Sequence, residues 1–193
     1  VYKRQVKACG RYYPERVDDV AWENDLTAFR AYGPALQETG ERAFGYDIWT
    51  KYNTTEPVVE ARYEGELNPD MKAKIAELGK TDPKAAQELY RSVSYHVDHG
   101  NGLDCYKVGP TLGGGTTALM AGDTIIYPYC YATQEILDNG PLRFTVKLVY
   151  NPLVVKGDST IIETRIITLD AGSYCNKTVV SCLLYTSPSP RDR

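Results

Sequence analysis

Both histidines of the chain fall in one short segment, Ser94-Tyr95-His96-Val97-Asp98-His99-Gly100-Asn101-Gly102-Leu103-Asp104-Cys105-Tyr106-Lys107-Val108-Gly109. Asp98, Asp104, Tyr95 and Tyr106 accompany them, and Gly100 and Gly102 make the segment loop-like. Imidazole changes charge near neutral pH, so His96 and His99 with Asp104 and Tyr106 can supply a general base, a charge neutraliser and a proton donor to one substrate. Function gathers on loops held by a rigid scaffold. The structural alternative is a solvated turn whose histidines sit in hydrogen bonds. A third reading holds a metal through His96, Asp98 and His99, but neither zincin spacing nor a calcium-loop pattern supports it, and no metal or cofactor is expected.

A second block, Ala21-Trp22-Glu23-Asn24-Asp25-Leu26-Thr27-Ala28-Phe29-Arg30-Ala31-Tyr32-Gly33-Pro34, mixes aromatic and polar residues. Read as one strand from Val20 to Tyr32, period two puts Trp22, Asn24, Arg30 and Tyr32 on one face with Leu26 and Ala28. Aromatic rings stack on the C–H faces of sugars, and a guanidinium pairs with a uronate carboxylate at two points. Against this stands a core role for Trp22 and Tyr32, with Arg30 bridging a neighbouring acid. A strand face carrying Asn and Arg is not an ordinary core face.

Other dense places say less. Gly113-Gly114-Gly115 lacks the Lys-Ser/Thr ending of a phosphate loop and reads as a tight turn or bulge. Tyr127, Tyr129 and Tyr131 alternate along a strand, as half of a sheet core or as a sugar platform. Glu163 and Arg165 share a face two residues apart and read as a surface or sheet-face ion pair.

The elements that must position these groups are mostly strands. Thr124 to Tyr131, Leu142 to Val155 and Ser159 to Leu169 alternate in the manner of strands, and Asp138-Asn139-Gly140-Pro141 and Lys156-Gly157-Asp158 have hairpin-turn chemistry. They should be sequential antiparallel neighbours, because short turns cannot make a parallel crossover. From Asn68 to Arg91 the spacing of Met71, Ile75, Leu78, Ala85, Ala86 and Leu89 predicts a peripheral helical insertion, broken at Thr81-Asp82-Pro83. The fold expected is mainly β, an antiparallel sandwich.

The two ends read differently. Val1-Tyr2-Lys3-Arg4-Gln5 can be encoded GTG TAT AAG AGA CAG, and the reverse complement, read one base later, gives Cys182-Leu183-Leu184-Tyr185-Thr186. An inverted repeat in nucleic acid resembles a transposase-type library adapter, so residues 1 to 5 and 182 to 193 are expected to be adapter-derived and without structural role. Residues 6 to 181 are then expected to form a single-domain fragment of a protein that continues beyond both ends. Without the ends, 18 basic and 24 acidic residues remain, a net charge of −6. An acidic chain with no Lys/Arg run is a poor partner for nucleic acid. No stretch approaches the ~20 apolar residues of a membrane span. Cys9, Cys105, Cys130 and Cys175 form no C-x-x-C and suit buried thiols better than a zinc site or a disulfide framework.

Tyr13-Pro14-Glu15-Arg16, the Trp22-to-Pro34 block, Gly45-Tyr46-Asp47-Ile48-Trp49, His96 to Gly115 and Ile136 to Tyr150 together resemble an uncharacterised domain-of-unknown-function family of Bacteroidetes, over nearly all of residues 10 to 180. The resemblance implies a fold similar to the galactose-mutarotase-like β-supersandwich, and a setting beside genes that degrade pectin-like, uronate-containing polysaccharides. It carries over no catalytic residues, and it implies that the family's C-terminal part lies beyond this fragment. The expectation is a periplasmic or secreted carbohydrate-active protein acting on acidic oligosaccharides, as a lyase or hydrolase. For β-elimination, Arg30 would neutralise the uronate carboxylate, His99 would take the C5 proton and Tyr106 would protonate the leaving oxygen, with His96 and Asp104 beside them. Trp22, Asn24, Tyr32 and Asp98 would bind substrate. The rivals are a non-catalytic glycan-binding module and a mutarotase-type epimerase with a histidine and a carboxylate facing one ring.

Overall fold

The structure, a computed structural model, describes residues 5–54 and 56–183. Its first sheet runs in chain order through β1 (Ala8–Tyr13), β2 (Asp19–Asn24), β3 (Thr27–Ala31) and β4 (Asp47–Thr50), all antiparallel. The single strand expected from Val20 to Tyr32 is therefore a hairpin. Asn24 causes the reversal: its Oδ1 accepts from Leu26 N and Thr27 N, both at 2.9 Å, so the side chain replaces backbone partners in the turn. The pairing sets Trp22 opposite Phe29 and Ala21 opposite Arg30. Trp22 and Arg30 consequently point to opposite faces, and the shared face expected for them does not form.

A short hairpin of β5 (Leu119–Ala121) and β6 (Thr124–Ile126) precedes the second sheet. That sheet is built from β7 (Tyr131–Gly140), β8 (Arg143–Tyr150), β9 (Leu153–Val155), β10 (Asp158–Asp170) and β11 (Lys177–Leu183), in the order β11-β10-β8-β7 with β9 beside β10. All named strand pairings among the described residues are antiparallel. The strand expected at Thr124 to Tyr131 stops at Ile126, and the neighbour of β8 is instead the polar strand β7. Asp138-Asn139-Gly140 continues β7, so the turn is Pro141-Leu142. The turn after β9 is as its letters suggest: Lys156 and Gly157 both have positive φ, at 50° and 86°, between the paired Val155 and Asp158. Edge strand β11 reaches Leu183, two residues into the segment read as adapter. Residues 1–4 and 184–193 lie outside the described residues.

The two large sheets form a sandwich. Val20, Trp22, Phe29, Ala31 and Tyr46 pack against Tyr131, Phe144, Val146, Leu148, Tyr150, Ile167 and Leu169. Trp22 lies between Phe29 and Phe144, with centroids 5.9 and 6.3 Å away, and its Nε1 donates to Asn176 Oδ1 at 2.9 Å. Tyr131 joins this core whereas Tyr127 and Tyr129 are exposed, so the three tyrosines do not act as one platform. Glu163 and Arg165 are likewise inside, on the inner face of β10 with Ile161, Ile167 and Leu169. Of the cysteines expected to be buried, only Cys130 is fully so: Cys9 is half-buried, and Cys105 and Cys175 are exposed.

The other face of the first sheet is covered too. Tyr13, Ala21, Ala28 and Trp49 pack there against Tyr95 and against Val59 and Tyr63 of a helix. After a short helix α1 (Pro34–Glu38), this layer contains α2 (Val59–Leu67), α3 (Pro69–Thr81) and α4 (Pro83–Val93). The expected insertion is the α3–α4 pair, each started by a side-chain cap and a proline: Asn68 Oδ1 accepts from Met71 N and Asp82 Oδ1 from Ala85 N, both at 3.0 Å. It is peripheral, with Ala86 its sole buried side chain. The inner helix α2 has no counterpart in the sequence reading. Its start is fixed from β2, where Glu23 accepts from Val58 N and Val59 N and pairs with Lys51 Nζ at 2.7 Å.

Because Trp22 fills the sandwich centre, Trp22→Ala should destabilise the protein by about 3–5 kcal/mol, read from the denaturant midpoint. A variant as stable as the parent would return Trp22 to a ligand-binding face.

Candidate functional site

Register alone brings the polar residues of the first sheet together. Arg30 on β3 pairs with Asp47 on β4, and Trp49, two residues on, is bridged to Asp104 of the His-containing loop. Asp19 shares the face of Ala21, which lies opposite Arg30. Period two thus points Asp19, Arg30 and Asp47 to the helix-covered side, and the loop brings Asp104 beside them. The loop is tied to β4 by Thr50 N donating to Leu103 O at 2.9 Å, and to itself by Asp104 N donating to Tyr95 O at 2.9 Å. At Gly102, φ is +97° and a Cβ would stand 2.0 Å from Thr50 O, so only glycine allows this approach.

Arg30 is 3% exposed, and its guanidinium is taken up inside the protein. Nη2 donates to Asp47 Oδ2, to Asp104 Oδ2 at 2.9 Å and to Tyr32 OH at 3.3 Å; Asp19 Oδ2 lies 3.9 Å from Nε. Arg16 approaches the same cluster, donating to Tyr95 OH at 3.2 Å and standing 3.9 Å from Asp19. Three carboxyl groups therefore face two guanidinium groups. Asp19 Oδ1, Asp47 Oδ1, Asp104 Oδ1 and Arg30 Nε are buried with no hydrogen-bond partner. Burial raises Asp19 to about 7 and Asp104 to about 6, against the pull of Arg30 on both.

Through Arg16, Arg30 and Asp104 the cluster reaches a cleft of about 410 Å³, with Asp19 and Asp47 behind its lining. Arg16, Arg30, Tyr32, Glu41, His96, Asp104, Tyr106 and Lys107 line it. His96, its side chain half exposed, places Nδ1 at 3.4 Å from Asp104 Oδ2, and its ring lies against Tyr95 with centroids 4.6 Å apart. Tyr106 is 37% exposed, donates to Tyr46 O at 2.9 Å and is pushed up to about 12 by burial.

Of the residues singled out in the sequence, His96, Asp104, Tyr106, Arg30 and Tyr32 converge on this cleft. The others do not. His99 is exposed, points Nε2 at Ser94 O at 3.0 Å and is not among the lining residues. Asp98 is a turn residue: Oδ1 accepts from Gly100 N at 2.8 Å and Gly102 N at 3.1 Å, and Oδ2 from Tyr52 OH. Trp22 is core, and Asn24 is consumed by its turn and by donating to Asp170 O and Ser173 O. Arg30, already paired with aspartates, has no two-point face left for a uronate carboxylate. Arg16, Glu41, Asp47 and Lys107 were not singled out in the sequence. Their signal is tertiary: Asp47, for one, meets Arg30 only through the register of β3 and β4. No group of three or more His, Cys, Asp or Glu among the described residues is placed to hold a metal ion.

A family model described as domain of unknown function (DUF4861) matches residues 1–184. The chain belongs to this family. It is 30% identical over 170 residues to "Uncharacterized protein P7" of Formosa agariphila, a match covering 84% of this chain and 37% of that protein. The chain thus spans little more than a third of that relative's length. No solved structure matches the chain. No helix among the described residues of this DUF4861 domain is long and apolar enough to cross a membrane.

The buried acids of this DUF4861 chain predict a stability that falls as pH rises. Asp19 and Asp104 are raised in the folded state above the ordinary ~3.9, so the fold binds protons that the unfolded chain releases. Their contribution is fully present below the unfolded value and is lost as pH rises through about 6 to 7. The lowered acids Glu15, Glu60, Asp158 and Asp170 act in the opposite sense, at more acid pH. Tm should therefore fall by a few °C, roughly, between about pH 5 and 8, and Asp104→Asn should flatten the fall. Thermal unfolding across this range checks it. A Tm that climbs through the window would show the cluster ionised at lower pH.

Proposed function

We propose that this domain belongs to a periplasmic or secreted carbohydrate-active protein that acts on acidic, uronate-containing oligosaccharides, as a lyase or hydrolase. One observation carries the reading: a single cleft holds a half-exposed His–Asp pair, an accessible tyrosine and two further cations, Arg16 and Lys107. Proton transfer at a uronate needs these parts: a base at the C5 proton, an acid at the leaving oxygen and positive charge at the carboxylate. His96 is the base, oriented by Asp104. Tyr106 is the acid, and Arg16 with Lys107 replaces Arg30 as the carboxylate partner. Tyr32 and Tyr106 give the sugar ring aromatic walls. The cleft lies at the small end of the roughly 300–1,000 Å³ range of ligand sites, which suits a short stretch of sugar.

One observation favours a non-catalytic glycan-binding module on the same surface: the Tyr106 hydroxyl already donates to Tyr46 O, and must leave that bond to act as an acid. The two readings separate in one experiment on uronate polymers. A lyase releases an unsaturated chromophore, whereas a binding module only retards in a gel containing the polymer. For the lyase, His96→Ala should cost about two or more orders of magnitude in turnover, while His99→Ala stays near the parent. Retardation without product would leave the binding module, and loss of turnover in His99→Ala alone would overturn the assignment of His96.

A further inference from the structure

We propose that a second cavity, beside Tyr174, is a further ligand site and takes a neutral sugar ring. It measures about 260 Å³ and shares no lining residue with the cleft. Phe29 lines this cavity and Arg30 the cleft; they are neighbours on β3, so the two openings belong to opposite faces of the first sheet. Phe29 and Tyr46, both buried in the sandwich core, supply apolar surface. Tyr174, Asn176 and Thr178 supply polar groups, and Gly114 and Gly115 supply bare backbone.

The groups that would meet a ligand are held in place and left unpaired. The indole N–H of Trp22 can only donate, so the Asn176 amide must turn its oxygen to it, at 2.9 Å. Nδ2 of Asn176, with two N–H groups, then donates to no described residue. The Tyr174 hydroxyl has no hydrogen-bond partner among the described residues either, and the residue is 70% exposed. Yet the turn between β10 and β11 that carries both is tied to the first sheet. Asn24 Nδ2 donates to Asp170 O at 2.7 Å and to Ser173 O, and Gly172 N donates to Asp25 Oδ1 at 2.7 Å. Within the turn, Ser173 Oγ donates to Cys175 O at 2.9 Å and accepts from Cys175 N at 3.1 Å. A turn ordered in advance, with donors to spare, binds without a large ordering cost.

The lining sets the class of ligand. None of the described side chains around this cavity is charged, so it has nothing to neutralise a carboxylate or a phosphate. The cleft, with Arg16, Arg30 and Lys107, differs in this respect. Aromatic surface suits the C–H face of a pyranose, and the Asn176 amide suits a ring or hydroxyl oxygen. A volume below the roughly 300–1,000 Å³ of drug-sized ligand sites suits one ring and not a chain. A planar heteroaromatic ring is the rival occupant, because it also stacks and accepts. The assignment does not rest on the reaction proposed for the cleft.

Amide NMR of the chain tests it, with separate titrations of glucose, galactose, xylose, rhamnose, galacturonate and adenosine. At least one of the four neutral sugars should shift Gly114, Gly115, Tyr174, Asn176 and Thr178 saturably, and galacturonate should leave them in place. Asn176→Asp keeps an oxygen for Trp22 Nε1 and removes the N–H donors, while Tyr174→Ala removes a ring that lies outside the core. Each should weaken the sugar about tenfold. Shifts confined to residues 103–109, no shifts at all, shifts with adenosine or galacturonate but with no neutral sugar, or full affinity in both variants would each overturn the site. Tyr174→Ala decides the last of these even if Asn176→Asp fails to fold. Failure of the uronate assay leaves a sugar bound here standing, and silence here leaves the cleft reading standing, so the two proposals fall separately.

Discussion

The first sheet is covered on both faces, by the second sheet on one side and by α2 and the His-containing loop on the other. This constraint governs the rest. In a sheet with one wet face, Asp19, Glu23, Arg30 and Asp47 would be ordinary solvated side chains. Here each is buried and must find its partners within the protein. Arg30 answers by holding two aspartates on one nitrogen, and Glu23 by capping α2 and pairing with Lys51. The helical layer is therefore keyed to the sheet by charge as well as by the aromatic cluster of Tyr13, Trp49, Tyr63 and Tyr95.

Where sequence was legible, the local signal and the tertiary outcome agreed. The α3–α4 pair announces itself through Asn68-Pro69 and Asp82-Pro83, each a cap followed by a residue already fixed for the first turn. Lys156-Gly157 gives its turn for a similarly local reason. Strand β7 was hidden because it is a mostly exposed edge whose Gln134, Glu135, Asp138 and Asn139 do not read as strand. The hairpin at Asn24 was hidden because Asn24-Asp25-Leu26 continues an alternating pattern, and one unnoticed turn reverses the face of everything after it. That single reversal separates Trp22 from Arg30. In the loop, clustering in sequence pointed to the neighbourhood of the cleft but could not tell which histidine lines it. His96 and His99 are three residues apart, and the turn held by Asp98 directs one to the cleft and the other to Ser94 O. Asp47 shows the other limit, since its importance comes from strand register across β3 and β4, which no local pattern reports.

Three buried ion-pair groups among the described residues allow structural charge to be separated from poised charge. Glu23 accepts from two backbone N–H groups and a lysine, while Lys51 also donates to Asn24 O and Glu56 O. Arg165 donates to Glu163, to Tyr46 OH and Tyr150 OH, and to Thr117 O. Neither pair leaves a buried side-chain polar atom without a partner. In the Arg30 cluster each of the three aspartates and the arginine leaves one such atom unpaired. Buried polar atoms are costly when unpaired, and the first two pairs show that this fold can complete its internal networks where only structure is at stake. Gln37 Oε1 and Arg62 Nη1 are single unpaired atoms elsewhere, whereas the Arg30 cluster gathers four of them and touches the open cleft through Asp104. An unfinished set of partners beside a cavity is what a site leaves for a proton or a ligand to complete, and it supports the cleft as the place of the function proposed above.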